Sequence, residues 1–74
     1  MIKHEHIHIF KTNIRTEADR QKLHPALGEN DDVHEWSVDI DDVDCVLRVV
    51  SPSLSREDIA RVVSQHGYHC TELL

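Results

Sequence analysis

Trp36-Ser37-Val38-Asp39-Ile40 is followed by Asp41-Asp42-Val43-Asp44 and then by Val46-Leu47-Arg48-Val49-Val50. Trp36, Val38 and Ile40 recur with period two after an opening Val33, which is the pattern of a half-buried strand. Val46 to Val50 is apolar apart from Arg48 and reads as a second strand. The four-residue acidic stretch between them cannot be buried and reads as a turn. Residues 33–50 therefore predict an antiparallel hairpin in the middle of the chain.

Working outward, His4 to Thr12 also alternates. His4, His6, His8, Phe10 and Thr12 share one face, and Glu5, Ile7, Ile9 and Lys11 share the other. This predicts a first strand. Thr16 with Asp19 forms a capping-box signature, and Glu17 and Asp19 put negative charge at a positive helix end. A helix is expected over about Glu17 to Leu27. Leu23 and Leu27 would face the core, and Pro25 should kink or tighten the last turns before Gly28 ends them.

On the other side of the hairpin, Ser51-Pro52-Ser53 breaks the strand. Ser55 with Asp58 repeats the capping signature ahead of Ile59, Val62, Val63 and His66, a helical stripe stopped by Gly67. Tyr68 to Leu73 predicts a last short strand. The order βαββαβ is the split βαβ arrangement of ferredoxin-like folds: an α+β domain with a four-stranded antiparallel sheet and two helices on one face. No internal repeat, linker or low-complexity tract divides it, so residues 1–74 are read as a single domain.

Length and charge narrow the function. A 74-residue chain buries only about 60% of the surface that its unfolded form exposes, which leaves a thin core and little room for a deep cleft. The net charge of −6 is uneven. Glu29, Asp31, Asp32, Glu35, Asp39, Asp41, Asp42 and Asp44 fall between residues 26 and 47, where there is no Lys or Arg. Such a surface repels phosphate backbones, so nucleic-acid binding is not expected. No apolar run reaches the ~20 residues that span a bilayer, and Met1-Ile2-Lys3-His4 begins no signal-peptide pattern, so a cytoplasmic domain without membrane insertion is expected.

Beyond topology, particular residues carry a resemblance. Phe10-Lys11-Thr12-Asn13-Ile14 with Leu23, Pro25 and Leu27, then Trp36-Ser37-Val38-Asp39, Val46-Leu47-Arg48-Val49, Glu57-Asp58-Ile59 and Gly67-Tyr68, resembles the heavy-metal-associated, copper-chaperone-like domain family. The resemblance covers nearly the whole chain after residue 9 and implies the same βαββαβ fold. In that family, Met or Ile and then Cys-x-x-Cys stand at the start of the first helix, and the paired thiolates hold Cu(I) as soft ligands. Ile14 takes the Met/Ile place here, while Thr16 and Asp19 stand where the two cysteines would. A hydroxyl and a single carboxylate make no Cu(I) site, and the two residues read as a helix cap instead.

Seven histidines in 74 residues are the conspicuous excess. His4, His6 and His8, spaced ~6.5–7 Å apart at strand rise, can share Zn(II), Ni(II) or Cu(II), so a transition metal held through histidines is one expectation. The plainer reading is a strand that uses His as its polar residue, with no cofactor. The two readings meet at a conflict of parity. If Phe10 is buried, His8 turns inward and Ile7 and Ile9 lie on the uncovered face of the sheet, where they favour a homodimer or a protein partner. Asp41, Asp42 and Asp44 would then offer a docking surface to a basic partner.

Weaker candidates are few. His66, His69 and Cys70 form a second possible metal cluster, although Cys70 falls where a core residue is expected and tetrahedral sites draw ligands from more than one element. His24 and His34 read as surface residues. Lys11 and Arg15 flank a helix start that Glu17 and Asp19 already satisfy. Only Cys45 and Cys70 are present, too few for a disulfide framework or a four-thiolate zinc site. There is no glycine-rich phosphate loop, no nucleophile with a local signature and no carboxylate pair outside the acidic turn, so no enzymatic activity is expected.

Overall fold

In the computed structural model, which describes residues 6–73, the elements run β1 (Ile7–Thr12), α1 (Glu17–Leu23), β2 (Glu35–Asp39), β3 (Val46–Val50), α2 (Arg56–Gln65) and β4 (Cys70–Glu72). The four strands form one antiparallel sheet in the order β2-β3-β1-β4. Each helix therefore connects two strands that have a third lying between them. This is the ferredoxin-like α+β architecture that the order of elements predicts.

Register decides which side chains are covered. Phe10 lies opposite Leu47, and Leu47 lies opposite Val38, so the three share one face. With Val49 they pack under Leu23 and Leu27 from the first helical segment and Ile59 and Val63 from α2, forming the core with Ile14. Fully burying an aliphatic or aromatic side chain of this kind contributes roughly 1.5–3 kcal/mol, so this small cluster carries most of the fold's hydrophobic stabilisation. Both helices start as their capping residues dictate. Thr16 and Ser55 each accept from the backbone N–H three residues on, and Asp19 and Asp58 each accept the capping residue's own N–H.

Several boundaries differ from the sequence reading. The first helix does not run as α-helix to Leu27. It ends at Leu23 and opens into a π-helical turn over His24–Gly28, closed by a hydrogen bond from the Glu29 N–H to the His24 carbonyl. Pro25 has no N–H to give to the preceding turn, so the chain widens there rather than tightening. Gly28 permits this: a Cβ at that position would lie 2.7 Å from the His24 imidazole. Val33 is half-buried but precedes β2, and Ile40 already belongs to the turn. The last strand is only Cys70–Glu72, after Gly67 turns the chain at φ +87°. The first begins at Ile7, with His6 just before it and His4 outside the described residues.

Buried hydroxyls tie the ends of the sheet together. Thr12 Oγ1 donates to the Cys45 carbonyl at 2.6 Å and accepts from the Ile14 N–H, joining the end of β1 to the β2–β3 turn and to the loop before α1. At the opposite end, Ser51 Oγ donates to the Asp32 carbonyl and accepts from the Leu54 N–H.

Candidate functional site

The loop between β1 and α1 leads to Thr16, which caps α1, and to Asp19 in the first turn of the helix. Asp19 Oδ2 accepts from the backbone N–H groups of Arg15 and Thr16, each at 3.1 Å, and the Asp19 N–H donates to Thr16 Oγ1 at 3.0 Å. The second carboxylate oxygen, Oδ1, accepts at 2.8 Å from the hydroxyl of Tyr68, in the segment that follows α2. The Tyr68 hydrogen bond, followed by that from the Arg15 N–H, holds the Asp19 carboxyl below its usual range. Tyr68 is shifted upward, by desolvation first and then by its bond to Asp19.

A metal ion does not fit this donor set. Both carboxylate oxygens already accept hydrogen bonds, the hydroxyl is a poor ligand for a soft ion, and neither cysteine lies in the loop. Cys45 is buried at the end of the β2–β3 turn and Cys70 lies on β4, where burial pushes its thiol up to about 11. The loop is a closed helix cap that Tyr68 braces. The sequence signal for that brace is a Tyr next to a chain-turning glycine, whose half-buried hydroxyl must find a partner.

The described histidines are dispersed. His8 pairs with Val49 and so points to the helix side of the sheet, where its Nε2 is shielded without a hydrogen-bond partner among the described residues. His6 precedes the strand, and His4 lies outside the described residues. His66 sits at the end of α2 with Nδ1 2.9 Å from the Val62 carbonyl, while His69 is exposed and Cys70 half-buried. Among the described residues, no three His, Cys, Asp or Glu side chains converge as a metal site would require. His24 and His34 are exposed.

The uncovered face of the sheet has a distinct chemistry. With Phe10 buried, β1 presents Ile7, Ile9 and Lys11 outward. From pairing register, β3 adds Val46 and Arg48, β2 adds Glu35, Ser37 and Asp39, and β4 adds Thr71, while Val50, which shares this parity, is buried at 1% exposure. The Leu73 N–H donates to the Ile9 carbonyl at 2.9 Å, which brings Leu73 beside β1. Ile9 is 39% exposed and Leu73 37% exposed. The acidic turn projects from one end of this face. Lys11 reaches Asp44 at 3.5 Å, Asp42 Oδ1 accepts from the Asp44 N–H, Asp39 Oδ1 accepts from the Asp41 N–H, and Val43 at the tip is 94% exposed.

One further feature is not foreseen by the sequence reading. At the sheet edge, α1 and β2 enclose a groove of about 250 Å³ that includes Arg20, Gln21, His24, Trp36 and Val38. Arg20 pairs with Glu17 and donates from its guanidinium to the Val38 carbonyl at 3.3 Å. No helix of the described residues is long and apolar enough to cross a membrane. No model of a known protein family matches the chain, and no curated protein is similar to it.

Proposed function

We propose that this chain is a domain of the heavy-metal-associated type that has exchanged its thiolate site for a helix cap and works by association, with itself or with a protein partner, in the cytoplasm and without catalysis. The observation that carries the reading is the apolar strip of Ile7, Ile9 and Leu73 on the face opposite α1 and α2. Two large aliphatic side chains more than a third exposed on adjacent segments favour contact with another apolar surface. The closed cap at Thr16 and Asp19 supports the same reading, because it leaves the family's metal chemistry without ligands.

Sedimentation velocity and light scattering test this directly. Concentration-dependent association that Ile9→Glu abolishes supports self-association. A monomer at high micromolar concentration, with Ile7→Glu and Ile9→Glu silent in partner capture, overturns the reading.

A second reading rests on the shielded, unpartnered Nε2 of His8. A transition metal held by His4, His6 and His8 would satisfy it after a rearrangement of the strand's start. Calorimetric titration with Zn(II), Ni(II) and Cu(II) separates the two. Stoichiometric binding lost on replacing the three histidines by Ala favours the metal, and no saturable binding removes it.

A further inference from the structure

We infer that the free edge of β2 receives an extended basic segment of a partner protein, added as a further strand of the sheet; the inference rests on the association reading above and names the partner's chemistry. Among the described residues β2 has one strand neighbour, β3. Arg20 reaches the Val38 carbonyl from the other side, so Val38 directs that carbonyl away from β3. By alternation Trp36 does the same, and the edge offers main-chain donors and acceptors at every second residue. The Val38 carbonyl is guarded only by a guanidinium that is itself substantially exposed and paired to the exposed Glu17.

The two faces of the edge ask for different side chains. On the helix side, Trp36 and Val38 open into the groove beside α1, which takes apolar side chains. On the uncovered side stand Glu35 and Asp39, flanked along the chain by Glu29, Asp31 and Asp32 before the strand and Asp41, Asp42 and Asp44 after it. Arg48, opposite Ser37, is the one cation that the pairing register places between those two carboxylates. An incoming strand that alternates Lys or Arg with Val or Leu meets both faces at once. A second copy of the chain does not. Antiparallel pairing centred on Ser37 sets Glu35 of each copy against Asp39 of the other, and in any register the two acidic flanks are brought together.

The sole tryptophan lies in the groove and serves as the reporter. The intact protein is titrated at physiological salt with a synthetic peptide of about ten residues alternating Lys with Val, long enough to cover one strand. The expected result is a saturable one-to-one change in Trp36 emission with slowed hydrogen exchange of the Trp36 and Val38 amides. Glu35→Lys with Asp39→Lys, both at exposed positions, is expected to weaken this peptide about tenfold or more and to admit one alternating Glu with Val. Arg20→Ala, which frees the Val38 carbonyl, is expected to tighten binding severalfold.

Three results would overturn the proposal: no Trp36 response, an equal response to a peptide of the same composition with Lys and Val in separate blocks, or burial of the edge by a second copy without peptide. In the first two cases, association that remains sensitive to Ile9→Glu leaves the broader reading standing.

Discussion

Tyr68 and Asp19, 49 positions apart, are joined by a hydroxyl-to-carboxylate hydrogen bond of 2.8 Å that connects the segment after α2 to the start of α1. It is a lever on pH. Asp19 titrates below its ordinary range in the folded chain, so its contribution to stability is present above the unfolded carboxylate's range and is lost as pH falls through the depressed value. Tyr68→Phe removes the largest cause of that depression. The Asp19 carboxyl, followed by NMR, should move up toward its ordinary range, and acid unfolding should begin at higher pH than in the parent chain.

The resemblance to metal-binding domains has its own test at the same loop. Thr16→Cys combined with Asp19→Cys should give the loop a single Cu(I) ion that the parent chain does not hold there, both measured by competition with a chromogenic chelator. Loss of the Thr16 cap is expected to cost about 1 kcal/mol in the absence of metal, and Cu(I) should restore the melting temperature. A double variant that folds but gains no affinity counts against the family reading.

Core truncation should separate the described core from its rim. Leu23 and Ile59 are fully buried, and Leu23→Ala or Ile59→Ala should each cost about 2–5 kcal/mol in denaturant unfolding. Val43→Ala at the tip of the acidic turn should fall within about 0.5 kcal/mol of the parent.

Burial pushes the Cys70 thiol up to about 11. The thiolate is the reactive form, so Cys70 should react with a disulfide reagent at neutral pH far more slowly than a free thiol, and at the ordinary rate once urea unfolds the chain. The raised value favours folding below the unfolded thiol's range, and that contribution is lost as pH rises toward 11. Rapid labelling of the folded chain at pH 7 would contradict this placement.

The fold was legible because its local signals agree. The caps at Thr16 and Ser55, the period-two pattern of Trp36, Val38 and Ile40, and the stop at Gly67 all point to the same order of elements, and Phe10 settles the parity of β1. What failed did so for identifiable reasons. Pro25 announces a disturbed helix but does not say whether the turn tightens or widens; that depends on His24 lying over Gly28, a contact between side chain and backbone that no periodicity encodes. Val33 has the right residue type and parity for a strand, yet the strand's pairing with β3 begins only at Glu35.

The candidate site was legible in part. The positions of Thr16 and Asp19 and their role as a cap follow from spacing, whereas the Tyr68 brace and the reach of Arg20 to the Val38 carbonyl join residues from separate elements. Among the described histidines, alternation in β1 turns His8 toward the helices, while His24, His34, His66 and His69 lie on other segments of the chain.

The Thr12 hydroxyl, held between the Cys45 carbonyl and the Ile14 N–H, has a consequence for how such a domain can change over time. The loop that follows it is clamped at its root by β1 and at its far end by the Thr16 cap, so its shape needs no ion to close it. A scaffold built in this way keeps its geometry through its own hydrogen bonds. Positions 16 and 19 are then free to settle on whatever makes the best helix start, and the rest of the surface is free to take up an occupation of its own.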